Sequence, residues 1–139
     1  MGKERVGFGK YIRGIRVHDL RELTQANVAE ILGINPALYG MIENNKRPPF
    51  DAEKIEIFAK LFNLTSEQKG KMYDLAAHEN DETPADIKKI FMNSEIGDLS
   101  RQLFRELQNG DFEEERWKTL AREAYKEAQR LKGGEDDDD

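Results

Sequence analysis

The sequence predicts an all-α protein, and three observations lead there. Apolar residues recur at spacings of three and four along nearly the whole chain, and no segment alternates with period two. Glycine, proline and asparagine interrupt that rhythm at intervals suited to short helices. The chain is 37% hydrophobic and 36% charged, the balance of a well-solvated protein built from amphipathic helices. At 139 residues it is long enough to bury a core without disulfides or metals.

Phe8, Ile12 and Ile15 mark one face of a first helix, which the pattern extends to Leu20. Val28, Ala29, Ile31 and Leu32 mark a second, and Gly33 breaks it as a glycine just past a helix end does. After Gly33-Ile34-Asn35 a third helix begins, with Asn35 as N-cap, Pro36 in the first helical position, and Leu38, Tyr39 and Ile42 along it. Asn44-Asn45-Lys46-Arg47-Pro48-Pro49 is a loop by composition. A fourth helix from about Asp51 presents Ile55, Phe58, Ala59 and Phe62, and Thr65 or Ser66 caps a fifth carrying Met72, Leu75 and Ala76. The polar stretch Glu79–Thr83 is a hinge in this reading, with Pro84 in the first turn of the next helix.

Beyond the hinge, Ile87, Ile90 and Phe91 form a short apolar face, and Ile96, Leu99, Leu103 and Leu107 form another. Asn109-Gly110-Asp111 is a turn, and Glu113-Glu114-Glu115 suits the start of a last helix, where acidic side chains complement the helix dipole. That helix carries Trp117, Leu120, Ala121, Ala124, Ala128 and Leu131 on one narrow stripe with charged flanks. Such a stripe pairs either with the preceding helix or with a partner chain. The organisation expected is a domain over residues 1–80, a helical extension over 81–132 and a disordered acidic tail over 133–139.

Charge is unevenly placed. Residues 1–62 hold 10 Lys/Arg against 8 Asp/Glu, a net of +2, whereas residues 63–139 hold 12 against 20, a net of −8. The overall −6 therefore does not exclude a polyanionic partner, because attraction depends on the local face. The absence of cysteine excludes a disulfide framework and thiolate metal sites and fits a reducing cytoplasm. No apolar run approaches the length of a membrane span and the N-terminus has no apolar signal core, so the expected location is the cytoplasm.

Residues 23–45 hold the most informative pattern: Leu23-Thr24-Gln25, then Ala29, Leu32-Gly33-Ile34-Asn35, Tyr39, and Ile42-Glu43-Asn44. Ala29 is small where two helices would cross, and Val28, Leu32, Ile34, Tyr39 and Ile42 point to a shared core. This stretch resembles the Cro/C1-type (Xre) helix-turn-helix family. The agreement extends to the frame around it, where Arg47-Pro48-Pro49-Phe50 precedes an amphipathic helix. The resemblance implies a five-helix lambda-repressor-like DNA-binding domain followed by a C-terminal helical extension. It implies a transcriptional regulator, a repressor, that docks on double-stranded DNA as a homodimer. The connection before Thr24 is longer than the family's usual one, which leaves the orientation of the first helix open.

By position, the surface implied to face DNA is Thr24, Gln25 and Asn27 at the start of the second helix. It continues through Asn35, Pro36, Ala37, Gly40 and Met41 along the third, and Asn44, Lys46 and Arg47 after it. Gln25 is implied to help hold a phosphate, and Lys46 and Arg47 to lie along the backbone. Arg13 and Arg16 on the first helix are further candidates, and Glu43 is implied to pair within the chain with a basic side chain. Pro36, Ala37, Gly40 and Met41, where base edges would be read, bring no hydrogen-bonding side chain, only apolar contact.

Two other function classes stand beside this one. In one, the helix-turn-helix is a protein-interaction module, an antitoxin-like component whose acidic second half masks a basic protein partner. In both non-enzymatic readings Leu103, Leu107, Trp117, Leu120, Ala124 and Leu131 are the candidate dimer or partner interface. In the other, the chain is an enzyme, which the residues disfavour. His18 and His78 stand apart with no companions at metal-ligand spacing, and there is no glycine-rich phosphate loop or nucleophile elbow. No cofactor and no metal are expected.

Overall fold

The structure, a computed structural model, describes residues 7–110 and 113–137, with side chains described as far as Gly133. The described residues form eight α-helices and no strand. They run α1 Phe8–His18, α2 Gln25–Leu32, α3 Pro36–Glu43, α4 Ala52–Leu61, α5 Ser66–Asn80, α6 Ala85–Asn93, α7 Glu95–Asn109 and α8 Glu114–Asp137. The chain forms two compact units, residues 1–94 and 95–139. Among the described residues no helix is long and apolar enough to cross a membrane.

In the first unit α2 packs on α3 and α4, α1 on α3 and α5, and α4 on α5, with α6 added against α5. Their inward faces meet in one core. Phe8 and Ile12 come from α1, Val28, Ala29 and Leu32 from α2, Tyr39 and Ile42 from α3, Ile55 and Phe58 from α4, and Met72, Tyr73, Leu75 and Ala76 from α5. Phe50, at the end of the Pro48-Pro49 loop, is the hub of the aromatic part. Its ring stands 5.1 Å from Phe8, edge-on, and 5.9 Å from Phe58. Truncating a fully buried phenylalanine such as Phe58 costs about 3–5 kcal/mol, so this cluster carries much of the unit's stability.

Local chemistry explains where the helices start and stop. Gly33 ends α2 in the left-handed conformation, φ +75°, and the Ile34 amide reaches back to the Ala29 carbonyl at 3.0 Å. The Asn35 side chain accepts the Ala37 amide at 2.7 Å and Pro36 opens α3, so the turn is specified on both sides. Thr65, not Ser66, caps α5, in a reciprocal box with Gln68.

Several expectations are corrected. The first helix stops at His18 because Asp19 turns to extended backbone, ψ 135°, which leaves Leu20 98% exposed. Ile31 is 46% exposed, since on an eight-residue helix it points about 100° away from the direction shared by Val28, Ala29 and Leu32. On α3, Leu38 is 38% exposed, while Tyr39 and Ile42 are buried. The hinge expected from Glu79 begins later: α5 continues through Asn80, and Asp81 ends it at φ +53°. Pro84 then stands at the N-cap of α6, not inside its first turn. Ile87 and Ile90 remain exposed on α6, with Phe91 partly covered.

In the second unit, α7 carries Ile96, Leu99, Leu103 and Phe104 exposed, and α8 carries Leu120, Tyr125 and Leu131 exposed. Leu107 and Trp117 are partly covered and Ala124 is exposed. Among the described residues α7 and α8 share no extended packing, and Leu99, Leu103, Leu120 and Leu131 are exposed. Lys118 lies 3.2 Å from Glu114 across one turn at the start of α8. The helix takes in residues 133–137 of the acidic tail, while residues 138–139 lie outside those described, as does Asp111 of the expected turn.

Candidate nucleic-acid interface

The candidate surface is built on α2, the Gly33-Ile34-Asn35 turn and α3. At the start of α2, Thr24 Oγ1 accepts the Asn27 amide at 3.0 Å and Asn27 Oδ1 accepts the Thr24 amide at 2.9 Å. This box occupies both side-chain oxygens and uses the amides of Thr24 and Asn27, and those of Gln25 and Ala26 are outside it. Thr24 and Asn27 are exposed, and Gln25 is partly covered.

Gln25 is covered because it reaches inward. Its Nε2 donates to Glu43 Oε1 at 2.9 Å, tying the first turn of α2 to the last turn of α3. Gly40 makes room for this. A Cβ at position 40 would sit 3.1 Å from Gln25 Oε1, so a side chain there would press on the glutamine. The mid-helix glycine, which costs about 1 kcal/mol of helix propensity, leaves the space that the Gln25 side chain occupies.

Glu43 is the buried charge of the unit, its side chain fully covered. Arg16 meets it at two points, Nε to Oε2 at 2.7 Å and Nη2 to Oε1 at 3.0 Å, and also donates through Nη1 to the Leu23 carbonyl at 3.1 Å. Burial on its own raises the Glu43 pKa. The Arg16 hydrogen bonds, with smaller contributions from Tyr39 and Gln25, outweigh it and hold the carboxyl below its ordinary value. The Tyr39 hydroxyl is buried beside this pair without a hydrogen bond of regular geometry. Burial, reinforced by the Glu43 carboxylate, raises its pKa far above that of a free tyrosine. Of the two arginines on α1, Arg16 is therefore committed inside the fold, while Arg13 points to solvent.

Pro36 and Ala37 are exposed, Met41 is 37% exposed and Gly40 is partly covered. Asn35 lies at the surface with its side-chain oxygen occupied by the Ala37 amide. Asn44, Lys46 and Arg47 follow, all exposed. The Asn44 amide bonds to the Gly40 carbonyl at 3.1 Å and the Lys46 amide to the Met41 carbonyl at 2.8 Å, so the basic pair leaves α3 on a defined path. The structure brings Gln25 against Gly40 and Glu43, and Thr24, Asn35, Lys46 and Arg47 are exposed.

Three residues that support this surface carry no local sequence signal. Gly9 lets α1 lie on the end of α3, where an added Cβ would be 2.3 Å from the Ile42 carbonyl oxygen and 2.6 Å from that of Glu43. Asn45, at φ +60°, accepts the Gly9 amide at 3.1 Å. Glu79 caps α1 from the far end of α5, accepting the Phe8 amide at 2.8 Å. The longer connection after α1 is held by Arg21, which pairs with Asp19 at 2.8 Å, donates to the Leu61 carbonyl at 2.8 Å and stacks on Phe62. His18 is occupied locally, its Nδ1–H donating to the Gly14 carbonyl at 2.7 Å.

No protein-family model, no curated protein and no solved structure matches this chain.

Proposed function

We propose that this protein binds double-stranded DNA, with α2 and α3 acting as a helix-turn-helix and α3 entering the major groove, and that it regulates transcription as a repressor. The observation that carries this reading is that the first turn of α2 lies against α3 through Gln25, Gly40 and Glu43, while Pro36, Ala37 and Met41 on α3 and the Lys46-Arg47 pair that follows it are exposed. The first-turn amides of α2 and the two cations suit phosphates on either side of the groove. Arg16, Glu43 and Gln25 then act as a brace that sets the angle between the two helices.

The first five helices form the DNA-binding domain in this reading, and the later helices supply association. A homodimer fits, because two copies of α3 one helical turn apart would meet two half-sites of a two-fold operator. The exposed stripes containing Leu99 and Leu103 on α7, and Leu120 and Leu131 on α8, support an interface there. They equally favour a second reading, an antitoxin-like chain in which a protein partner covers those stripes. Light scattering separates them: a homodimer supports the first, and a monomer that co-purifies with a small basic protein supports the second.

The test of DNA binding is a titration of the full chain against DNA from upstream of its own gene. Saturable retardation at low salt, weakened by added salt, is expected. No retardation above nonspecific background would overturn the proposal.

A further inference from the structure

We infer that the outward face of α3 reads thymine C5-methyl groups, with Ala37 and Met41 as the reading side chains. This deepens the DNA-binding proposal and rests on it.

On and beside α3, the polar side chains of Gln25, Asn35, Tyr39 and Glu43 are turned inward or bonded locally. Asn35 places its side-chain oxygen on the Ala37 and Leu38 amides, at 2.7 and 3.4 Å. Tyr39 is fully buried. Glu43 is buried under Arg16 and Gln25, and Gln25 turns its side-chain amide inward, donating to that carboxylate. What remains outward on α3 is Pro36, Ala37, Leu38, Gly40 and Met41, none with a hydrogen-bonding side chain. Ala37 and Met41 share one row at helical spacing, and Gly40, beside that row on the side of Gln25, brings no side chain.

Base pairs differ in the major groove by donors, acceptors and one apolar group, the methyl on thymine C5. A row of apolar side chains makes no use of the polar part of that code and gains from the methyl alone. Charge complementarity sets the occupant: Lys46 and Arg47 flank the row at its C-terminal end, as a polyanion requires and a basic protein partner would not. Burying one methyl against such a face is worth about a fourfold gain in affinity. The half-site is therefore expected to hold thymines at the positions facing Ala37 and Met41.

The experiment first selects binding duplexes from a random-sequence library with the full chain. Affinities are then measured for the selected duplex and for the same duplex with deoxyuridine in place of each thymine, which removes only the methyl. Binding weaker by about fourfold per contacted methyl is expected, and Met41→Ala, checked for an unchanged melting temperature, should lose part of that discrimination. Equal affinity for the thymine and deoxyuridine duplexes would overturn the inference while leaving DNA binding intact. A deoxyuridine penalty that Met41→Ala and Ala37→Ser both leave unchanged would overturn the assignment to this face. Failure to select any duplex would overturn the DNA-binding proposal, and the inference with it.

Discussion

Arg16 and Glu43 join α1 to the last turn of α3 through a two-point ion pair, at 2.7 and 3.0 Å, beneath which Gln25 completes the carboxylate's partners. The Glu43 side chain is fully covered and that of Arg16 is 14% exposed, so neither is readily compensated by water if the other is removed. Arg16→Met should therefore lower stability by about 3 kcal/mol, since it leaves a buried carboxylate unpaired. Arg16→Met combined with Glu43→Leu should recover most of that loss. Urea unfolding of the three chains measures both effects, and equal losses in the single and double variants would contradict the brace.

The same pair sets an acid limit. Folding holds the Glu43 pKa below its ordinary value of 4.5, so its contribution to stability is fully present above that value. It is lost as pH falls through the lower, folded pKa. Glu56, lowered by Tyr73 and Lys69, adds to the loss in the same window. Unfolding free energy should decline below about pH 4.5, and Glu43→Gln should flatten that decline. Denaturant melts between neutral pH and pH 3 give the two slopes.

Gly9→Ala should be among the most damaging small substitutions in the first unit. The new Cβ would meet two carbonyl oxygens of α3 at 2.3 and 2.6 Å, both backbone atoms that cannot swing aside. A loss of at least about 2 kcal/mol is expected. Gly14→Ala on the same helix is the matched control. Nothing lies within 4 Å of a Cβ there, and replacing a mid-helix glycine should add up to about 1 kcal/mol. Thermal melts of the two variants should move in opposite directions.

Glu79→Ala should fray the start of α1. It removes the acceptor of the Phe8 amide, the only part of the cap that comes from another helix among the described contacts of that turn. A cost of about 1 kcal/mol is expected, and hydrogen exchange at the first amides of α1 should quicken while that of α4 does not.

These residues also show what sequence reading reached and what it did not. Gly33, Asn35 and Pro36 specify the end of α2 and the start of α3 by chemistry that acts within a few residues, and the structure has the same turn. The inward positions Val28, Leu32, Tyr39 and Ile42 follow from helical spacing alone. Glu43 was legible as a paired charge, but its partner was not, because Arg16 is 27 residues away and competes in the sequence with Arg13. Gly9 and Glu79 had no local signal at all. Their roles depend on partners 36 and 71 residues away, a distance at which only the assembled fold decides contact. The end of α1 was overrun for a related reason: Leu20 continues the apolar rhythm, yet Arg21 anchors the connection to Leu61 and Phe62 and pulls the chain out of the helix.

In the proposed complex, α2 and α3 hold duplex DNA between the start of α2 and the Lys46-Arg47 pair. The most direct measurement is the salt dependence of duplex binding, for the native chain and for Lys46→Ala with Arg47→Ala. The native chain should lose affinity steeply between about 50 and 200 mM salt, and the double variant should show a salt slope shallower by about 2 per protomer. Identical slopes for the two proteins, or no salt-dependent binding by either, would contradict it.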